Sequence, residues 1–137
     1  MFKDDDILLQ GERKFGEYQI SIARYTPSGW SATVPPLNLL VTNYRLVLQP
    51  QSRRPYPPAS IPSTYVMTID DVEFGQRRGI QLSLKTGHQI NMFINWNQTE
   101  QLMNQLKEML ISPVGTAFKK NPAENDINRL IRFISGL

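Results

Sequence analysis

The chain has no cysteine. Disulfides, thiol nucleophiles and cysteine-bearing zinc sites are therefore excluded from the start. A single histidine, His88, leaves no histidine pair for a metal or for acid–base relay. No uninterrupted apolar run exceeds three residues, so no segment reads as a membrane-spanning helix. The start, Met1-Phe2-Lys3-Asp4-Asp5-Asp6, lacks the apolar stretch of a secretory leader, and the expected compartment is cytoplasmic. Charge of either sign is modest too: 15 Lys+Arg against 12 Asp+Glu give a net +3 over 137 residues. That balance, with no aromatic-basic RNA motif and no recognition-helix pattern, argues against nucleic acid as a partner.

What is present suits one compact domain. An apolar fraction of 40% can build a single core. Ten prolines and eight glycines call for many turns, which favours short strands over a helical bundle.

The strands can be read from alternation. Residues 7–15 start as a strand that loses its pattern near Gly11, and Gly16-Glu17 reads as a turn. Tyr18, Ile20 and Ile22 then alternate with smaller or polar residues until Thr26-Pro27-Ser28-Gly29 breaks the run. A two-residue turn at Asn43-Tyr44 sets Val41 opposite Leu46, Leu40 opposite Val47 and Leu39 opposite Leu48, leaving Thr42 opposite Arg45. Every apolar residue of that hairpin finds an apolar partner, and Asn43 tolerates the positive φ such a turn needs.

Beyond a proline-rich loop at 49–58, Tyr65, Met67 and Ile69 alternate up to Asp70-Asp71. Val72 and Phe74 lead into a turn at 75–79. A second hairpin follows, with Leu84, Leu82 and Ile80 matched to Ile90, Met92 and Ile94 around an odd loop, Thr86-Gly87-His88. The period then changes to helical. Asn97 and Glu100 have capping-box spacing, and Leu102, Met103, Leu106, Met109 and Leu110 make an apolar stripe that ends at Ser112-Pro113. Asn121-Pro122 starts a second helix with Ile127, Leu130, Ile131 and Ile134 on one side. The expected fold is mainly β with C-terminal α: about seven antiparallel strands and a capping helix in residues 1–111. A linker and a helical extension beyond the compact unit fill 112–137, and the extension's apolar side is expected to pack on the barrel or to pair with a second copy.

Strands first and a capping helix last is the order of a pleckstrin-homology-like, partly open barrel. Leu39-Leu40-Val41-Thr42-Asn43-Tyr44-Arg45-Leu46 resembles the central hairpin of the GRAM branch of that superfamily. Ser60-Ile61-Pro62 with Ile69 and Val72, and Leu82-Ser83-Leu84-Lys85-Thr86-Gly87-His88, look like its next strands. The likeness covers about residues 7–111. Pro35-Pro36 stand near where a glycine usually precedes the hairpin, and the loop around Arg53 is long. The resemblance implies a non-catalytic binding module, one that holds phosphoinositide headgroups, peptides or small GTPases, or associates with membranes.

Two partner classes follow. Residues 45–58 carry three arginines and no acid, so Arg53 and Arg54 can grip an anionic phospholipid headgroup through their guanidinium forks; Arg45 can join them, although the resemblance implies rather that it anchors the turn opposite Thr42. Arg13, Lys14 and Arg24 join them if the first hairpin bends as it does in the family. The protein would then be peripheral on a membrane surface, although a solvated basic loop explains the same residues. The alternative is a protein-interaction or scaffold domain using a sheet edge, the Pro55–Pro58 loop or the terminal helix, through which the chain can also pair with itself. No nucleophile elbow, P-loop or His-Glu-x-x-His pattern occurs, so no catalytic residue, metal site or cofactor is expected. Asp70, Asp71 and Glu73 form either an acidic edge for a partner or a strand-end turn.

Overall fold

The computed structural model describes residues 8–32, 36–51, 58–75, 77–112 and 127–132. Eight strands are present: β1 (Lys14–Thr26), β2 (Gly29–Ala32), β3 (Leu37–Thr42), β4 (Arg45–Pro50), β5 (Ala59–Pro62), β6 (Val66–Phe74), β7 (Arg77–Leu84) and β8 (Gln89–Phe93). One long helix, α1 (Thr99–Ile111), follows them. All pairings are antiparallel, in the order β5-β4-β3-β1-β8-β7-β6, with β2 alongside the end of β1. β5 and β6 do not pair, so the barrel stays open. The expected class, mainly β with a capping helix, is the observed one.

β1 holds the two halves together. Its first half pairs with β3, and its second half with β8 and β2. Gly16 is not the turn the sequence suggested. It lies within β1 beside a register shift between Lys14 and Gly16, and a Cβ there would stand 2.3 Å from Gln105 Oε1. A larger residue there would make the end of the Gln105 side chain on α1 swing aside, and that side chain accepts the Tyr18 hydroxyl at 2.6 Å.

The β3–β4 hairpin has the expected register, Val41–Leu46, Leu40–Val47 and Leu39–Leu48. Its turn works differently. Among the described residues no non-glycine has a positive φ, so Asn43 does not supply one. Thr42 Oγ1 instead accepts the backbone N–H of both Tyr44 and Arg45 at 3.0 Å, and a side-chain oxygen replaces the left-handed backbone.

The β7–β8 register is two residues away from the expected one: Leu82 faces Ile90 and Ile80 faces Met92. Both registers keep the apolar row on one face, so alternation cannot tell them apart. Gly87 decides. At φ +90° it ends a three-residue loop over 85–87, and the Leu84 amide donates to the His88 carbonyl at 2.9 Å.

β6 is one strand that runs on through Asp70-Asp71 to Phe74, so these acids occupy a strand edge, not a strand-end turn. The register shift between Val66 and Thr68 turns Met67 out to solvent, where it is 62% exposed. The hairpin to β7 is tight, with Phe74 opposite Arg77. Gly79, expected in a turn, lies inside β7, where a Cβ would meet the Met92 carbonyl at 2.5 Å and the Phe74 ring at 2.7 Å.

α1 begins at Thr99 without a side-chain cap. Asn97 does not cap it, because residues 96–98 form a 3-10 turn in which the Gln98 amide donates to the Asn95 carbonyl. Leu102, Leu106 and Met109 are fully buried against the sheet. Ile127 and Leu130 enter the same core, so the helical residues 127–132 pack on the barrel, one of the two fates expected for their apolar side. The expected cap at Asn121 and the apolar residue Ile134 lie outside the described residues.

Candidate functional site

Two polar arrangements are candidates, one buried and one open. The buried one joins residues 9–13 to the β3–β4 turn. Gly11, at φ +80°, closes a tight turn in which the Glu12 amide donates to the Leu9 carbonyl. This places the Glu12 carboxylate under the hairpin with its side chain wholly buried. Arg45 Nε lies 2.9 Å from Glu12 Oε2, and Arg45 Nη2 lies 3.0 Å from Oε1. Thr42 donates its hydroxyl proton to Oε2 at 2.6 Å, and the Leu9 amide donates to Oε1 at 2.9 Å. Arg45 Nη1 reaches Ser60 on β5 at 2.8 Å. Asn43 Oδ1 accepts the Arg13 amide at 2.6 Å, and its Nδ2 donates to the Gly11 carbonyl at 3.2 Å. The Thr-Asn-x-Arg stretch thus fastens the N-terminal segment to the barrel, with donors and acceptors matched around the carboxylate.

The basic residues picked from the sequence are not gathered into one cluster among the described residues. Arg45 is only 9% exposed and held by Glu12. Lys14 pairs with Glu17 at 3.1 Å. Arg13 lies with its guanidinium 5.9 Å from the Phe15 ring centre. Arg24 is ten residues along β1 from Lys14, about 33 Å for a straight strand. Arg53 and Arg54, and Tyr56 with its flanking prolines Pro55 and Pro57, fall outside the described residues.

The open arrangement is a trough of about 790 Å³ on the outer face of the sheet. Six of its nine lining residues are carboxamides: Gln19, Asn38, Gln49, Gln51, Asn95 and Gln98. Strand pairing makes part of this set a row, since Gln19 on β1 is directly opposite Asn38 on β3, which is opposite Gln49 on β4. Gln51 Nε2 donates to Asn38 Oδ1 at 2.6 Å. The one charged lining residue, Glu17, is the partner of Lys14. A smaller recess of about 220 Å³ shares Gln19 and Asn95 with the trough and adds Ser21, Phe93, Ile94 and Arg77. The 3-10 turn that bounds the trough also carries Trp96, 86% exposed.

Sequence reasoning missed this surface because its residues come from four separate segments without a spacing signature. The only sequence-level sign was composition: 10 glutamines and 9 asparagines, 19 amides against 15 Lys+Arg.

Elsewhere, Asp71 on β6 accepts a forked pair of hydrogen bonds from Arg78 on β7. Those bonds hold its carboxyl below the usual aspartate range, burial works against them, and the guanidinium charge adds to the lowering. Burial raises the Tyr18 phenol above its ordinary value. His88 rests at its turn with Nδ1 2.8 Å from the Thr86 hydroxyl. Among the described residues no three His, Asp or Glu side chains converge as a metal site, and no helix is long and apolar enough to cross a membrane.

No protein-family model matches this chain, and no curated protein matches it either. Solved structures do. One is the crystal structure of the C-terminal domain of an unknown protein from Leishmania infantum. It superposes with a TM-score of 0.52 at 18% identity, over 80% of this chain and 92% of that one. At that identity the likeness concerns the fold alone.

Proposed function

We propose that the chain is a non-catalytic binding module that holds a polar segment of a partner protein in the carboxamide-lined trough. The observation that carries this reading is the cross-strand row Gln19–Asn38–Gln49, extended by Gln51, Asn95 and Gln98. Carboxamides offer donors and acceptors side by side, which matches the alternating N–H and C=O groups of an extended peptide better than it matches an ion. Trp96 adds an exposed indole on the bounding turn, the residue type that most often anchors a protein interface. The sequence likeness to pleckstrin-homology and GRAM domains supports the same class, since peptide binding is one of the uses that likeness implies.

Selection from a phage-displayed random nonapeptide library tests it, with the parent and a Gln19→Ala/Asn38→Ala/Gln49→Ala variant as baits. Peptides that bind the parent and lose the variant support the reading. An empty selection, or peptides indifferent to the triple change, overturns it.

A second reading, association with an anionic membrane surface, rests on the acid-free loop that carries Arg53 and Arg54 and leaves β4 beside Gln51. Co-sedimentation with neutral and anionic vesicles at low and physiological salt checks it. Salt-sensitive binding to anionic vesicles, abolished by Arg53→Ala/Arg54→Ala, supports it, and absence of binding under all conditions rejects it.

A further inference from the structure

Arg77 and Arg78 are neighbours on β7, so strand alternation sends them to opposite faces of the sheet. Their surroundings differ accordingly. Arg78 is engaged by Asp71, and the backbone register places Glu73 directly opposite it. Arg77 faces the trough side, with its guanidinium carbon 4.0 Å from the centre of the Phe93 ring. Phe93 is itself fixed. It is 2% exposed and packs edge-on against Phe74 at 5.5 Å, which Trp30 covers at 4.7 Å. A guanidinium held over a ring face by its carbon still has outward N–H groups to offer a planar oxyanion.

The recess that Arg77 lines contains no acid. Its other residues are Gln19, Ser21, Phe93, Ile94 and Asn95, two of them amides and one a hydroxyl, all able to donate to an anion. Among the residues that line the trough the only charge, Glu17 on β1, is already paired with Lys14. The surface is thus a neutral hydrogen-bonding track with one positive terminus. From β4 to β7 the track crosses four strand spacings, about 19 Å, the length of five or six extended residues.

We propose that Arg77, stacked on Phe93 and flanked by Ser21 and Asn95, is a carboxylate-reading site that fixes the register of the partner segment by gripping one acidic side chain. This inference rests on the trough being the peptide-binding surface, so its test separates the two ideas. Peptides selected on the parent are sequenced, then titrated by calorimetry against the parent, Arg77→Gln, Arg77→Lys and Arg78→Gln.

The expected result is Asp or Glu enriched at one fixed position of the selected peptides. Arg77→Gln then weakens binding about tenfold or more, as loss of a charged hydrogen-bonding pair should. Replacing the peptide acid by its amide has the same effect on the parent and little effect on Arg77→Gln. Arg77→Lys restores part of the affinity, because charge returns without the fork, and Arg78→Gln binds as the parent does. Peptides that need Gln19, Asn38 and Gln49 yet show no acidic position overturn the carboxylate site and leave the trough reading standing. Equal losses with Arg77→Gln and Arg78→Gln also overturn it, since they signal net charge alone. If no selected peptide depends on the trough, both ideas fall together.

Discussion

Arg45 and Glu12, 33 residues apart in sequence, meet as a two-point ion pair beneath the β3–β4 turn, at 2.9 and 3.0 Å. The Glu12 side chain has no solvent exposure and that of Arg45 has 11%. The carboxylate is sealed from water and the guanidinium nearly so, and the pair is held by Thr42, Ser60 and the Leu9 amide. Glu12→Ala should therefore destabilise the domain by about 3–5 kcal/mol, the usual cost of stranding one partner of a buried pair. The double change Glu12→Leu/Arg45→Met should cost much less than the sum of the single changes. Urea unfolding of the two single variants and the double one checks this. A loss below about 1 kcal/mol for Glu12→Ala would show that the segment is not fastened as described.

Two glycines separate the effect of space from the effect of backbone. Gly79 lies in β7 with the Phe74 ring over it, and an added methyl meets atoms at 2.5 and 2.7 Å. Gly79→Ala should cost about 1–3 kcal/mol through overpacking. Gly87 has open space around it and a φ of +90°, so Gly87→Ala should cost about 1–2 kcal/mol through backbone strain alone. Relief distinguishes them: shortening the ring with Phe74→Leu should recover part of the loss at Gly79 and none of it at Gly87. Identical responses in urea melts would contradict the assignment.

The same positions explain how much of the fold could be read in advance. The β3–β4 register was legible because only one alignment gave every apolar residue an apolar partner. The β7–β8 register was not, because alignments two residues apart place the same residues on the same face, and only the left-handed conformation at Gly87 tells them apart. Gly16 and Gly79 read as turns because a glycine in sequence marks either a turn or a close approach, and the neighbours responsible, Gln105 and Phe74, come from other elements. The trough was invisible for a related reason. Its amides form a surface only after β1, β3, β4 and the turn before α1 are assembled. Arg45 was half legible: the resemblance implied that it anchors the turn opposite Thr42, but the carboxylate that holds it, Glu12, is linked to it by no local pattern.

Acid should find the Asp71–Arg78 pair. The folded-state pKa of Asp71 is depressed, chiefly by the Arg78 hydrogen bonds. The sign follows directly: the pair's contribution is complete above the unfolded aspartate value and is lost as pH falls through the lower folded value. Asp71→Asn should thus lower stability modestly at neutral pH and converge with the parent as pH falls below about 4, which flattens the acid limb of the stability–pH curve. The pair is partly exposed, so high salt should shrink the difference. A difference that grows as the pH is lowered would reject this account.

Alkali should find Tyr18. Burial raises its phenol pKa, so the proton is held more tightly in the folded state than in the unfolded chain. Stability is then complete below the ordinary tyrosine value and is lost as pH rises above it. In a spectrophotometric titration Tyr18→Phe should remove a late phase that lies above the ordinary tyrosine value. A late phase that persists in Tyr18→Phe belongs to another tyrosine.

The last prediction concerns where the domain ends. Ile127 and Leu130 are 0% and 1% exposed, within the same core as Leu102, Leu106 and Met109 of α1. Arg129, between them, donates from Nη2 to the Pro58 carbonyl at 3.0 Å, which ties the segment to the start of β5. A helix that merely trailed from the barrel would unfold without affecting it. A helix that fills the core must unfold together with it. Leu130→Ala should therefore lower the stability of the whole domain by about 2–5 kcal/mol in a single cooperative urea transition, as the fully buried Leu106→Ala should. Exposed Asn128, on the same six residues, should tolerate alanine within about 0.5 kcal/mol. If Leu130→Ala behaves like Asn128→Ala, or a separate early transition appears, the segment is an appendage and the compact unit ends with α1.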